Sequence, residues 1–204
     1  MTITLHHEDL PDGLDLGPIV AIDSETMGLN PHRDRLCLVQ LSAGDGDVHL
    51  VKFGPESSYE APNLKALLED ANTLKLFHFA RFDVAVMAHY LDAIAAPIYC
   101  TKIASKLART YTDRHGLKDV VRELAGVDLS KAQQSSDWGA DELTQAQKDY
   151  AASDVLSLHQ VKQGLDAMLV REGRMEAAQA AFDFLPVRAF LDLDGYGEMD
   201  LFSH

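Results

Sequence analysis

The sequence predicts an α/β protein: a five-stranded mixed sheet, an antiparallel meander followed by parallel strands, flanked by helices. Three observations predict it. Short apolar runs rich in β-branched residues fill the first half of the chain, helical spacing fills the second, and the two kinds interleave as β-β-β-α-β-α-β-α. The first strand is expected over residues 18–22, the apolar run Pro18-Ile19-Val20-Ala21-Ile22. The second covers residues 35–41, and the turn signal Gly44-Asp45-Gly46-Asp47 leads to a third over 48–53. A short helix begins at Pro62-Asn63, with Asn63 as its cap. Residues 74–79 form the fourth strand, residues 82–91 a helix, and residues 98–100 a short fifth strand. From Thr101 the pattern is helical. Gly116 and Gly126 bracket one helix, Thr144 caps a long one reaching residue 171, and a last helix near 175–184 ends at Pro186. Gly164 costs that long helix about 1 kcal/mol relative to Ala.

A chain of 204 residues suits a single domain, with a motif-bearing core at about 18–170, a helical extension to 190 and an acidic tail over 191–204. Hydrophobic content of 47% and charged content of 25% exclude global disorder and a disulfide miniprotein. No run of eighteen apolar residues exists, so no membrane partner is expected. The N-terminus lacks the basic and apolar regions of a signal peptide. Cys37 and Cys100 make no metal-binding pattern and fit a reducing, cytoplasmic setting. The net charge of −14 argues at first against a nucleic-acid partner. Yet Glu8, Asp9, Asp12 and Asp15 precede the first strand, and Asp192, Asp194, Glu198 and Asp200 lie in the tail, all with no local base. Without those eight acids, 18 bases face 24 acids.

Four carboxylates and a tyrosine carry the chemistry. Asp23 and Glu25 end the first strand two residues apart, so both point to one face. Asp83 follows the fourth strand in His78-Phe79-Ala80-Arg81-Phe82-Asp83. Tyr150 and Asp154 are four apart in a helix and share a face. Singly, each has an ordinary reading: a solvated strand end, an acid at a helix start, an exposed Asp beside a core Tyr. Carboxylates gathered in one place repel one another unless cations neutralise them, and hard oxygen donors suit Mg²⁺ or Mn²⁺. Two such ions can clamp a phosphoryl displacement and supply hydroxide near neutral pH. A tyrosine hydroxyl beside them can orient the attacking water.

Asp23-Ser24-Glu25-Thr26, Phe82-Asp83 and Tyr150-x-x-x-Asp154 resemble the three exonuclease motifs of the DEDD superfamily, tyrosine-type subgroup. Arg35-Leu36-Cys37-Leu38-Val39-Gln40-Leu41, Gly116-Leu117-Lys118-Asp119 and the run 131–138, which includes Ser136-Asp137-Trp138, resemble the ribonuclease D-like branch. The resemblance covers about residues 18–170. It implies a ribonuclease H-like fold with its site at the sheet's C-terminal edge. It also implies metal-dependent 3′→5′ hydrolysis of single-stranded RNA ends to nucleoside 5′-monophosphates. Asp23, Glu25, Asp83 and Asp154 would then hold two divalent cations, and Tyr150 would position the water. Thr26 and Met27 would contact the terminal nucleotide, and Met27 or Leu29 would wedge against the last bases. The superfamily's second motif often opens with Asn, and here that place holds His78.

Further substrate-contact candidates are Gln40, His78, Phe82 as a stacking ring, and Lys131, Gln134 and Ser136. Trp138 reads as packing. Lys102, Lys106, Arg109 and Arg114 have helical spacing in part and read as a solvated face or a backbone-binding one. No motif reads the 2′-hydroxyl, so a DNA-preferring exonuclease is the nearest alternative, and a catalytically silent binding or scaffold module is a more distant one. The sequence leaves the oligomeric state open. The charge balance predicts a short footprint held mainly at the acids.

Overall fold

A computed structural model of the chain describes residues 1–130, 132–199, 201 and 203–204. Its strands are β1 (Ile3–His7), β2 (Ile19–Thr26), β3 (Leu36–Ser42), β4 (Val48–Lys52), β5 (Leu74–Phe77) and β6 (Ile98–Cys100). They form one mixed sheet in the order β1, β4, β3, β2, β5, β6. The meander β2-β3-β4 is antiparallel, and β5 and β6 add in parallel beside β2. The sheet therefore has six strands, not five. β1 comes from the segment expected to be only an acidic terminus and pairs in parallel with β4, Ile3 opposite Val48.

The helices are α1 (Pro62–Glu69), α2 (Ala80–Leu91), α3 (Thr101–Ala108), α4 (Leu117–Ala125), α5 (Gln145–Leu156), α6 (Leu158–Arg171), α7 (Met175–Asp183) and α8 (Leu185–Leu191). A wide final turn, Asp192–Tyr196, follows. β3 is buried along its whole length, as a central strand covered on both faces must be. α5 packs on β2, β3 and β4, and α2 packs on β3, β5 and β6.

Four expectations need correction. The long helix is two: α5 ends at Leu156 and α6 starts at Leu158, with Ser157 between them at φ −93°, ψ −5°. α5 lies on the sheet, whereas α6 packs on α3 and α4, so the axis changes direction without a Pro or Gly to mark it. Gly164 serves that packing: a Cβ there would meet Leu124 at 3.4 Å. Pro186 does not end the last helix but sits in the first turn of α8, where its missing N–H costs nothing. Asn63 does not cap α1. The Asp9 carboxylate reaches in and accepts from Asn63 N at 2.9 Å and Leu64 N at 2.8 Å. The terminal acids are accordingly built into the fold. Glu8 accepts from Gly54 N, and Asp192 accepts from Nε and Nη2 of Arg81 at 2.6 and 2.7 Å.

Thr144 does cap α5, in a capping box with Gln147: Gln147 N donates to Thr144 Oγ1 at 3.2 Å, and Thr144 N donates to Gln147 Oε1 at 2.9 Å. Gln147 Nε2 also donates to Asp137 O at 3.0 Å, fastening the Ser136-Asp137-Trp138 loop to the first turn of α5.

Candidate active site

β5 pairs with β2 only as far as Ala21 and stops at Phe77, so Asp23 and Glu25 project beyond its end. α5 lays Asp154 across the same edge. Carboxylate oxygens of Asp23, Glu25 and Asp154 lie within 4.8 Å of one another. Asp83 approaches from the other side of β2, in the first turn of α2, and is buried. Its Oδ1 accepts from Ser24 Oγ at 2.6 Å, so the residue between the two strand acids holds the third motif acid in place. Tyr150 sits one helical turn before Asp154, half-buried. The Trp138 ring lies behind it, centroid to centroid 6.0 Å.

Burial and mutual repulsion shift these carboxylates towards binding protons. Burial pushes Asp23 up to about 7 and Asp154 to about 8, the latter also through the charge of Asp23. Burial, then Asp23, Asp154 and Asp83, pushes Glu25 up to about 10. Burial and Asp23 raise Asp83 well above the carboxylate range. Burial and the neighbouring acids also raise the Tyr150 phenol, which stays protonated as a donor. No basic side chain shares an ion pair with any of the four acids among the described residues. An all-oxygen, anionic, mutually repelling donor set of this kind fits hard divalent cations.

The acids open into a cavity of about 340 Å³. Of the residues expected from sequence, it is lined by Asp23, Glu25, His78, Gln134, Tyr150 and Asp154. Thr26, Met27 and Leu29 are not in its lining. Thr26 donates to Gly28 O, Met27 packs on Gly139 so closely that a Cβ there would strike its sulfur, and Leu29 stands 85% exposed.

Three residues expected to contact substrate lie away from the cavity lining. Gln40 lies opposite Asp23 in the β2–β3 register but is fully buried. Phe82 packs against the core, not into the cavity. Ser136 is partly buried, its hydroxyl is shielded from solvent, and it does not line the cavity. Lys131 lies outside the described residues.

The basic run also splits. Arg109 is buried, donates to Arg114 O at 2.7 Å and is paired with Glu123, which removes it from any binding face. Lys102 instead enters the cavity. Sequence reasoning passed over Phe79, which lines the cavity beside it. Its signal was the apolar ring between His78 and the helix start, where nothing distinguished it from core. Leu117 and Lys118, at the start of α4, complete that wall.

The profile of the 3′-5′ exonuclease family matches residues 7–170. The chain belongs to that family. Ribonuclease D of Acidiphilium cryptum is 38% identical over 167 residues, 82% of this chain and 42% of that protein. Ribonuclease D of Escherichia coli is 30% identical over 68% of this chain and 36% of its own length, so the chain spans about two fifths of the length of these curated relatives. Among solved structures, Brucella melitensis NrnC with bound Mg²⁺ superposes with a TM-score of 0.95 at 53% identity, covering both chains in full. NrnC bound to pGG gives 0.96 at 54%. Together with Escherichia coli ribonuclease D (TM-score 0.73, 27% identity), they place the exonuclease in the ribonuclease H-like architecture. No helix among the described residues is long and apolar enough to cross a membrane.

Proposed function

We propose that this exonuclease hydrolyses the 3′ ends of short single-stranded RNA to nucleoside 5′-monophosphates by a two-metal mechanism. The observation that carries this is the unneutralised triad Asp23, Glu25 and Asp154 backed by Asp83, with a protonated Tyr150 one turn away. The four carboxylates would hold two divalent cations, Mg²⁺ or Mn²⁺, which lower the pKa of a bound water and offset charge on the phosphate. Tyr150 donates a hydrogen bond that orients the water. Trp138 and the Gln147–Asp137 tie hold the phenol's position.

Short substrates are favoured for two reasons. The cavity, about 340 Å³, is at the small end of ligand pockets and suits a terminal nucleotide rather than a length of chain. A full-length structural relative binds pGG. The surface is acidic overall, so affinity comes from the metal site and a few local contacts, and processivity is low.

The test is release of mononucleotides from a 3′-labelled oligoribonucleotide, with parallel DNA, in Mg²⁺ and in Mn²⁺. Release should require the metal, favour RNA and vanish in Asp83→Asn. Activity that survives EDTA, or survives that substitution, would sink the mechanism. Faster digestion of DNA would sink the substrate.

A further inference from the structure

Arg35 immediately precedes β3 and is remote in sequence from Tyr150, yet one loop joins the two. Its guanidinium has no carboxylate partner among the described residues. It donates instead to main-chain carbonyls of two separate segments. Nη1 reaches Phe53 O at 3.1 Å and Gly54 O at 3.2 Å, just after β4, and Nη2 reaches Gly139 O at 3.1 Å. A rigid planar fork of donors can span two segments at once, which a single ammonium cannot. The Arg35 carbonyl also accepts from Met27 N at 3.0 Å, just beyond β2. One end of this brace is therefore fixed in the sheet by β2, β3 and β4.

The other end is the loop 137–139. Gly139 is pressed between Arg35 and Met27: a Cβ there would stand 3.0 Å from Arg35 Nη2 and would strike the Met27 sulfur. Glycine serves close approach at this point. Gly139 N donates to Asp137 Oδ1 at 3.0 Å, and Asp137 O accepts from Gln147 in the first turn of α5. Trp138 lies between these two tied residues. Its ring is buried and packs on the Tyr150 ring. Among the described residues its Nε1 has no hydrogen-bond partner. The indole is thus placed by packing and by the main chain on either side of it. Asp137 is tied to the helix that carries Tyr150, whereas Gly139 is tied to the sheet that carries Asp23 and Glu25. The second tie sets the loop, and with it Trp138, relative to the strand acids.

We propose that Arg35 is a positioning residue of the exonuclease: by pinning Gly139 to the sheet it holds Trp138 behind Tyr150 and so fixes where the phenol stands beside the acids. The proposal rests on the reading of Tyr150 as the group that orients the attacking water, and deepens it. Arg35 acts through the loop and touches neither substrate nor cation. A phenol displaced by a fraction of an ångström orients water poorly while the acids stay as they are.

The experiment uses the full chain, a 3′-labelled oligoribonucleotide and Mn²⁺. Arg35→Met removes the fork and keeps the aliphatic stem. It should lower kcat about tenfold and leave KM within about threefold of the parent. Arg35→Lys keeps the charge and guards against a loss of fold, and it should resemble Arg35→Met more than the parent. Gly139→Ala opens the brace from the other side and should lower kcat severalfold with Arg35 intact. In the Tyr150→Phe background, Arg35→Met should bring no further loss, because both changes act on one group. Calorimetric Mn²⁺ binding should match the parent in every variant. Amide hydrogen exchange over residues 137–140 should quicken in Arg35→Met, with the interior of α5 unchanged. Losses that multiply with Tyr150→Phe, a loss confined to KM, or a weakened Mn²⁺ affinity would each overturn the proposal.

The two readings fail differently. A parent that releases no mononucleotide, or a Tyr150→Phe protein as fast as the parent, defeats the catalytic reading and with it the positioning role. A parent slowed by Tyr150→Phe but not by Arg35→Met defeats the positioning role alone. So does unchanged exchange over 137–140 in Arg35→Met.

Discussion

Two acidic centres of this protein differ in what surrounds them. Asp192, in the C-terminal turn, is gripped by Arg81 at 2.6 Å and by Arg188. Against the upward push of burial, their hydrogen bonds hold its carboxyl below the usual range. Asp23, Glu25 and Asp154 have no such partners among the described residues, and burial and mutual repulsion drive them the other way. Arg81 stands only two residues before Asp83, so a cation near the active site is turned away from it. The chain therefore neutralises one acidic centre internally, and in the proposed function the other is left to an external cation. Acids left without a cationic partner are what the proposed metal site requires.

The largest effect that would break this comparison is catalytic. Asp154→Asn should lower kcat by roughly 10³-fold or more by removing a proposed metal ligand, whereas Asp192→Asn should stay within about threefold of the parent in the same mononucleotide-release assay. Comparable losses in both would show that the two centres do not divide the work as argued. Next, Tyr150→Phe should cost about 10²-fold in kcat with KM unchanged, the scale of a lost proton-handling or water-orienting group. Because the phenol stays protonated, the rate of the parent should show no alkaline limb from Tyr150 below pH 9.

The smallest effect is on stability, and it has opposite signs in the two centres. Asp154 binds its proton more tightly folded than unfolded. Without metal, stability is therefore fully present below about pH 4 and is lost as pH rises toward about 8. Asp192 behaves the other way, its contribution being present above about pH 4 and lost on acidification. Thermal unfolding in chelator should show Asp154→Asn gaining about 2–4 °C at pH 8, for about 1 kcal/mol relieved, and Asp192→Asn losing a few degrees. Added Mn²⁺ should remove the alkaline fall in the parent and leave Asp154→Asn little changed.

The clustering of the acids was legible in the sequence because each spacing has one geometric meaning. Two apart on a strand put Asp23 and Glu25 on one face, and four apart on a helix did the same for Tyr150 and Asp154. Long-range events were not legible. β1 is a half-buried edge strand whose partner begins 45 residues later, at Val48. The break at Ser157 is imposed by two packing surfaces, not by a breaker residue. Gln40 read as a substrate contact because a polar residue in a strand suggests exposure, yet its strand is central and covered. Phe82 was chosen over Phe79 because it abuts the motif acid, while the positive φ that aims Phe79 at the cavity has no sequence signature in an aromatic residue.

The contact between Trp138 and Tyr150 has an optical consequence. The chain contains one tryptophan, and it is buried against the ring that faces the acids. Light absorbed by indole is thus absorbed at a single place, one side chain away from the proposed metal site. Emission excited near the red edge of the indole band becomes a label-free report on that phenol's surroundings. A cation titration or a single turnover can be followed on the native protein, with no chromophore added.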